Sequence, residues 1–185
     1  GIERVVVVVS PKSPLPSIAL CSEGALALRF AVQAEPLGSA HALLTAADLV
    51  GDQSFLALNG DNFYPARALH DLLDCDDENA VLGLDREAVA ADPRSNLTLE
   101  RMGAFAALEA SPDGFLRHIA EKPKDVLWQG GSRRLLVGVN AWRFEPSIFA
   151  ACREVEQSPR GELELPSAVQ NLLRSGLSFR VVRSR

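Results

Sequence analysis

Arg4-Val5-Val6-Val7-Val8-Val9-Ser10-Pro11 is a continuous β-branched run that stops at a turn. Such a run suits a strand buried on both faces of a parallel sheet, which requires helices on either side of it. Reading outward, Leu28 to Val32 forms a second short strand, and Gly38 to Val50 an alanine- and leucine-rich helix closed by Gly51. Phe55-Leu56-Ala57-Leu58 is a third strand that runs directly into Asn59-Gly60-Asp61-Asn62. Ala66 to Leu73 carries apolar residues at helical spacing, and Ala80 to Leu84 reads as the next strand. The polar stretch from Asp85 to Arg101, with Pro93, Ser95 and Asn96, reads as a loop or insertion.

Beyond Gly103, Phe105 to Glu109 and Phe115 to Ile119 flank Ser111-Pro112-Asp113-Gly114, which is a hairpin signal. Leu135 to Phe144 is a strand, Ser147 to Val155 and Pro166 to Arg174 are helices, Gly176 stops the second, and Phe179 to Val182 closes the series. Strands alternating with helices predict an α/β fold. Its sheet is Rossmann-like, open and mostly parallel, flanked by helices, with one β-hairpin insertion. A length of 185 residues is expected to form one domain spanning 1–185.

Hydrophobic residues make up 47% of the chain and charged residues 23%, which argues for a filled core and against disorder. The net charge is −5 and the basic residues are scattered, apart from Arg133-Arg134 and the terminal Arg180, Arg183 and Arg185. No basic stripe marks a nucleic-acid partner. Cys21, Cys75 and Cys152 lack metal-like spacing and are read as thiols in a reducing compartment. The Val5–Val9 run is far short of the about 20 apolar residues a membrane span needs, and no signal-peptide pattern accompanies it. No membrane partner and a cytoplasmic location are therefore expected. The sequence is compatible with a homo-oligomer and does not decide the oligomeric state.

Ligands of open α/β sheets bind beyond the carboxyl ends of the strands, so residues following strands are the first candidates. Gln33-Ala34-Glu35-Pro36-Leu37-Gly38-Ser39-Ala40 is a turn that feeds a helix. The Gln33 amide can both donate and accept, and Gly38 permits close backbone approach, a combination suited to a pyrimidine edge. Gly38 and Ser39 could equally do no more than start the helix. At Asn59-Gly60-Asp61-Asn62 a carboxylate follows a strand, where magnesium could bind through it and through substrate phosphates. A strand-end aspartate is also common in ordinary turns. His41, His70 and His118 have no serine or cysteine partner and read as surface residues of helices or strands.

Taken in order, Gln33-x-x-Pro36-Leu37-Gly38-Ser39-Ala40, Asn59-Gly60-Asp61, Gly103 opening a strand, Glu121-Lys122-Pro123, Val139-Asn140 and Arg160-Gly161-Glu162-Leu163-Glu164-Leu165 resemble the sugar-1-phosphate nucleotidyltransferases. That family includes glucose-1-phosphate uridylyl- and thymidylyltransferases. The resemblance implies that Gln33, Gly38, Ser39 and Gly60 contact the nucleotide. It makes Asp61 the magnesium ligand and a catalytic residue together with Lys122, which meets the sugar phosphate. Gly103, Glu121 and Asn140 would line the sugar pocket. The implied partners are a nucleoside triphosphate, UTP or dTTP, and a sugar 1-phosphate such as glucose 1-phosphate, with Mg2+ as cofactor and pyrophosphate as product. Asp61 is expected at the carboxyl end of a central parallel strand, facing one cleft with Gln33 and Glu121.

Two departures qualify the resemblance. Gly1-Ile2-Glu3-Arg4-Val5 resembles the entry to the family's second strand, so the glycine-rich triphosphate loop is expected to be missing from this chain, which alone would be a weak catalyst. Ser167 stands where the family usually has an aspartate as a further metal ligand, which implies weaker or differently arranged metal binding. The alternative is a non-catalytic relative that binds a nucleotide or sugar phosphate in a regulatory or interaction role.

Overall fold

The structure, a computed structural model, describes residues 2–16, 27–93, 99–122 and 135–184. Cys21, Ser95, Asn96, Pro123, Arg133, Arg134 and Arg185 lie outside them. The chain divides into two compact units, Gly1–Gln53 with Pro146–Ala168 and Ser54–Glu145 with Val169–Arg185.

In the first unit, β1 (Arg4–Val9) pairs in parallel with β2 (Ala27–Val32), from Arg4 opposite Ala27 to Val9 opposite Val32. Both strands form where the β-branched and apolar runs predict them. Among the described residues β1 carries a ladder on one edge only. Its valines are accordingly half-buried, and only Val9 reaches full burial. The single helix expected after Gly38 is two helices, α1 (Ser39–Thr45) and α2 (Ala47–Val50). Thr45 Oγ1 donates to the His41 carbonyl at 2.9 Å. This back-bond bends helices, and the Ala46 N–H tightens onto Leu43 O at 3.1 Å. Gly51, at φ 75°, ends α2 as expected. α1 packs against α6 (Ser147–Arg153), where Ala40, Ile148 and Cys152 are buried.

The second unit holds the other strands: β3 (Phe55–Leu58), β4 (Ala80–Asp85), β5 (Ala106–Ala110), β6 (Leu116–Ala120), β7 (Leu135–Phe144) and β8 (Arg180–Ser184). β3, β4 and β5 each run antiparallel to β7, β8 is parallel to β4, and β6 is antiparallel to β5. Four of these strands therefore share one direction, and β6 and β7 oppose them. The expected open α/β sheet with a hairpin is present, but it is not mostly parallel: among the described residues four of its ladders are antiparallel and only β4–β8 is parallel, because β7 runs against β3, β4 and β5.

Helix α3 (Ala66–Leu73) buries Ala68 and Leu72 against Val137, Val139 and Ala141 of β7 and against Ala80 and Leu82 of β4. On the other face of β7, Trp142 stacks on Phe144 at 5.4 Å, and Phe179 meets both rings edge-on at 6.4 and 6.2 Å. The alternation of strand side chains thus feeds two separate cores. The polar stretch read as a loop contains α4 (Arg86–Ala91) and α5 (Leu99–Met102). Asp85 starts α4 by accepting from the N–H groups of Glu87 and Ala88 at 3.1 and 3.0 Å. Helix α7 (Leu165–Arg174) precedes β8, and Gly176 follows it at φ 94°.

Burial pushes the Cys152 thiol up to about 12. An unfolded thiol releases its proton near 8.5, so above that pH the unfolded chain binds fewer protons than the folded one. Stability should therefore fall as pH climbs from about 9 toward 12, by up to about 1.4 kcal/mol per pH unit from this group. Urea denaturation at pH 8 and pH 10 tests this: the Cys152→Ala variant should lose less stability between the two than the unaltered chain.

Candidate functional site

The candidate residues of the second unit meet where β7 changes partner. Along one edge β7 pairs with β5 through Leu135–Gly138 and then with β3 through Ala141–Phe144. Val139 and Asn140 lie in the gap between those ladders. On the opposite edge, Val81 faces Trp142 and Gly83 faces Gly138, so Leu82 alone stands against Val139, Asn140 and Ala141. β7 therefore bulges by two residues, which leaves its inward and outward alternation in phase on both sides. Asn140 takes φ 53° to make the bulge. The cost of that conformation is lower for asparagine than for other residues bearing a Cβ.

Carbonyls in such a gap need partners, and the Asn59–Tyr64 loop after β3 supplies them. The Tyr64 hydroxyl donates to Val139 O at 2.8 Å and reaches Asn140 O at 3.2 Å. It accepts from Asn59 N at 3.2 Å and from Asn62 Nδ2 at 3.1 Å. Asn62 Nδ2 also donates to Val139 O at 3.1 Å, and Asn59 N to Asn140 O at 3.3 Å. Burial raises the Tyr64 phenol above its ordinary range; hydrogen bonds from Asn62 and Asn59 oppose that rise, and the Asp61 carboxylate adds to it. The loop is thus held by its ends and its tyrosine, while Gly60 and Asp61 at its tip are exposed.

The other candidates gather at the same end of this sheet. Gly103 lies three residues before β5, whose first residue, Ala106, pairs with Gly138. Glu121 and Lys122 follow β6, whose last residue, Ala120, pairs with Ala107. Glu121 is half-buried and Lys122 exposed, with Lys122 at φ 40°. Lys122 and Asn140 are the non-glycine residues of positive φ among the described residues. Strain of that kind concentrates at ligand sites. Asp61 follows the carboxyl end of a strand as expected, but β3 is not a central parallel strand. Its ladder is antiparallel and runs along β7, on the part of that strand beyond the Leu135–Gly138 stretch that β5 pairs with.

Gln33, Gly38 and Ser39 belong to the first unit. There, the segment after β2 is zipped to Leu163: Leu163 N donates to Leu37 O at 2.7 Å, and Ala40 N to Leu163 O at 2.9 Å. Ser39 Oγ accepts from Leu165 N at 2.9 Å and so caps the start of α7. A Cβ on Gly38 would lie 2.6 Å from Leu163 O, and Gly38 sits at φ 109°, so backbone packing alone demands glycine here. Gln33 Nε2 lies 3.2 Å from Gly38 O and 2.9 Å from His41 Nδ1. His70 and His118 are exposed as expected, whereas His41 is half-buried and used.

Among the described residues no group of three or more His, Cys, Asp or Glu could cage a metal. Arg160 draws Glu164 to 2.8 Å and Glu162 to 3.6 Å, which occupies the two carboxylates nearest Ser167 in sequence. Among the candidate residues Asp61 offers an exposed carboxylate, a fit for an ion that takes one or two protein carboxylates and completes its shell from phosphates and water. Tyr64 was not flagged by the sequence, Asn62 and Leu163 stood in quoted motifs without a role of their own, and His41 was read as a surface residue. The one available signal was that Tyr64 is the chain's only tyrosine, two residues after the Asn59–Asn62 motif.

Residues 1–183 match the family described as Nucleotidyl transferase. The chain is 34% identical over 158 residues to a glucose-1-phosphate thymidylyltransferase of Streptomyces griseus, covering 84% of this chain and 39% of the relative. It is 30% identical over 184 residues to the UTP--glucose-1-phosphate uridylyltransferase AglF of Haloferax volcanii, covering 99% and 70%. A low-salt glycan biosynthesis nucleotidyltransferase of the same organism, Agl11, is 28% identical over 85% of this chain and 40% of its own length. The chain thus spans about two fifths of the length of the first and third of these relatives. A crystal structure of UDP-glucose pyrophosphorylase complexed with UDP-glucose superposes with a TM-score of 0.69 at 14% identity, covering 99% of this chain and 74% of that one. The inositol-1-phosphate CTP transferase from T. maritima gives 0.70 at 14%, covering 99% and 67%. These two establish the shared fold.

Three outcomes follow from this geometry. Absorbance at 295 nm, which reports Tyr64 alone because the chain has a single tyrosine, should titrate above the free phenol's value of about 10 in the folded protein. Tyr64→Phe should lower the unfolding free energy by about 0.5–1.5 kcal/mol, since it removes the hydroxyl that the Val139 and Asn140 carbonyls share while their bonds from Asn62 and Asn59 remain. Gly38→Ala should cost at least about 1–3 kcal/mol from the positive φ alone, measured by urea denaturation.

Proposed function

We propose, from the premise that this chain belongs to the nucleotidyl transferase family, that it joins a nucleoside triphosphate to a sugar 1-phosphate with release of pyrophosphate. UTP or dTTP and glucose 1-phosphate are the substrates this reading names. The observation that carries it is the convergence of the Asp61 loop, Gly103, Glu121, Lys122 and Asn140 on one end of one sheet, around a bulge whose strain the fold holds in place. The names of the relatives support the transferase reading over a binding-only role.

In this reaction an oxygen of the sugar 1-phosphate attacks the α-phosphorus of the triphosphate. The new P–O bond forms as the bond to the β-phosphate oxygen breaks, and pyrophosphate departs with that electron pair. The nucleophile is already ionised, so no side chain has to remove a proton. Positioning and charge neutralisation supply the catalysis. Lys122 meets the sugar phosphate, Glu121 accepts from sugar hydroxyls, and Asn140 and Gly103 bound the sugar. Gln33, Gly38, Ser39 and Gly60 serve the nucleotide. Asp61 would hold magnesium, which when bound would supply positive charge to the phosphates. The family match runs across both compact units, which supports one domain acting as a whole. No helix among the described residues is long and apolar enough to cross a membrane, and a cytoplasmic setting fits sugar-phosphate substrates.

The test is pyrophosphate release by the purified chain from UTP or dTTP with glucose 1-phosphate and magnesium. Asp61→Asn should reduce turnover by roughly 100-fold or more, the scale of losing a preorganised charge contact, with an unchanged urea midpoint because Asp61 is exposed. Lys122→Ala should raise KM for the sugar phosphate by about tenfold, the worth of a charge-assisted hydrogen bond. Turnover that ignores both substitutions overturns these roles.

A further inference from the structure

The Gln33 carboxamide is held from two sides. A carbonyl oxygen can only accept, so the nitrogen of Gln33 and not its oxygen faces Gly38 O, 3.2 Å away. The second N–H of the same nitrogen then points to His41 Nδ1 at 2.9 Å, which must accept it, leaving the ring hydrogen of neutral His41 on Nε2. A flipped amide would set its oxygen against the Gly38 carbonyl, acceptor against acceptor. Both donors of Gln33 are therefore spent. Its Oε1 has no hydrogen-bond partner among the described residues, in a half-buried position just past β2.

We infer that His41 is a positioning residue that fixes Gln33 as a hydrogen-bond acceptor and thereby selects a base whose reading edge carries a ring N–H. Uracil and thymine present N3–H there, whereas cytosine presents a bare N3, which would face Oε1 acceptor against acceptor. This rests on the reading of Gln33 as the base-contacting residue. Removing the His41 ring takes away one of two contacts that hold the amide. The flipped amide, which offers its NH2 to cytosine, then becomes accessible.

Calorimetric titration of the chain with UTP and with CTP isolates the effect, because the two carry the same phosphates. UTP should bind about tenfold tighter or better, and His41→Ala should shrink that ratio by roughly three- to tenfold, the weight of one neutral hydrogen bond. His41→Gln, which keeps an acceptor in reach, should retain the ratio, and Gln33→Leu should bring it near unity. A ratio indifferent to Gln33→Leu means Gln33 does not contact the base, and the underlying reading falls with the inference. A ratio lost in Gln33→Leu but kept in His41→Ala overturns the role of His41 alone. Equal loss of affinity for both nucleotides in His41→Ala marks a purely structural histidine and overturns it too. No binding of either nucleotide by the unaltered chain overturns both.

Discussion

Every backbone carbonyl buried in a sheet must find a donor, and in the second unit that constraint falls hardest on β7. Its ten residues serve β4 along one edge and β5 and then β3 along the other, so two carbonyls, of Val139 and Asn140, face a gap between ladders. The Tyr64 hydroxyl, the Asn62 amide and the Asn59 N–H close that gap. The arrangement forces Asn140 to a positive φ and holds Asp61 at the tip of a short, pinned loop. The candidate residues thus sit where the sheet is irregular but its backbone groups are pinned by hydrogen bonds.

In the first unit, the same kind of constraint accounts for residues whose type alone suggests ligand contact. Gly38 is glycine because the Leu163 backbone occupies the space of its Cβ, and the Ser39 hydroxyl is engaged at the start of α7. The two motifs that carry the family resemblance there, Pro36–Ala40 and Arg160–Leu165, are two halves of one backbone zipper. A structural duty of this kind does not compete with ligand binding through the remaining groups, and at Gln33 it decides which remaining group is on offer.

The chemistry proposed asks little of side-chain acids and bases, and the described titratable groups agree with that. The buried thiol of Cys152 is held protonated by its apolar surroundings and is no nucleophile. Glu162 and Glu164 lean on Arg160, and Arg180 is drawn to Asp77 at 2.7 Å while lying over the Phe115 ring. Among the candidate residues, the exposed charged groups are the Asp61 carboxylate and Lys122, the latter at a positive φ.

By itself, the sequence determined what depends on neighbours along the chain. The β-branched run of β1, the helical spacing in α3, the Ser111–Gly114 hairpin turn and the glycine stops after α2 and α7 all fold where local patterning puts them. The order of short motifs was likewise enough for the family. Only tertiary structure decided the antiparallel sense of β7, the bulge at Asn140, the split of the first helix and the partners of Gln33, Gly38 and Ser39. The reason is physical: Tyr64 meets residues 75 and 76 positions away, and Ser39 one 126 positions away. No local propensity encodes which distant carbonyl will lack a donor, because that is known only when the strands have been laid side by side.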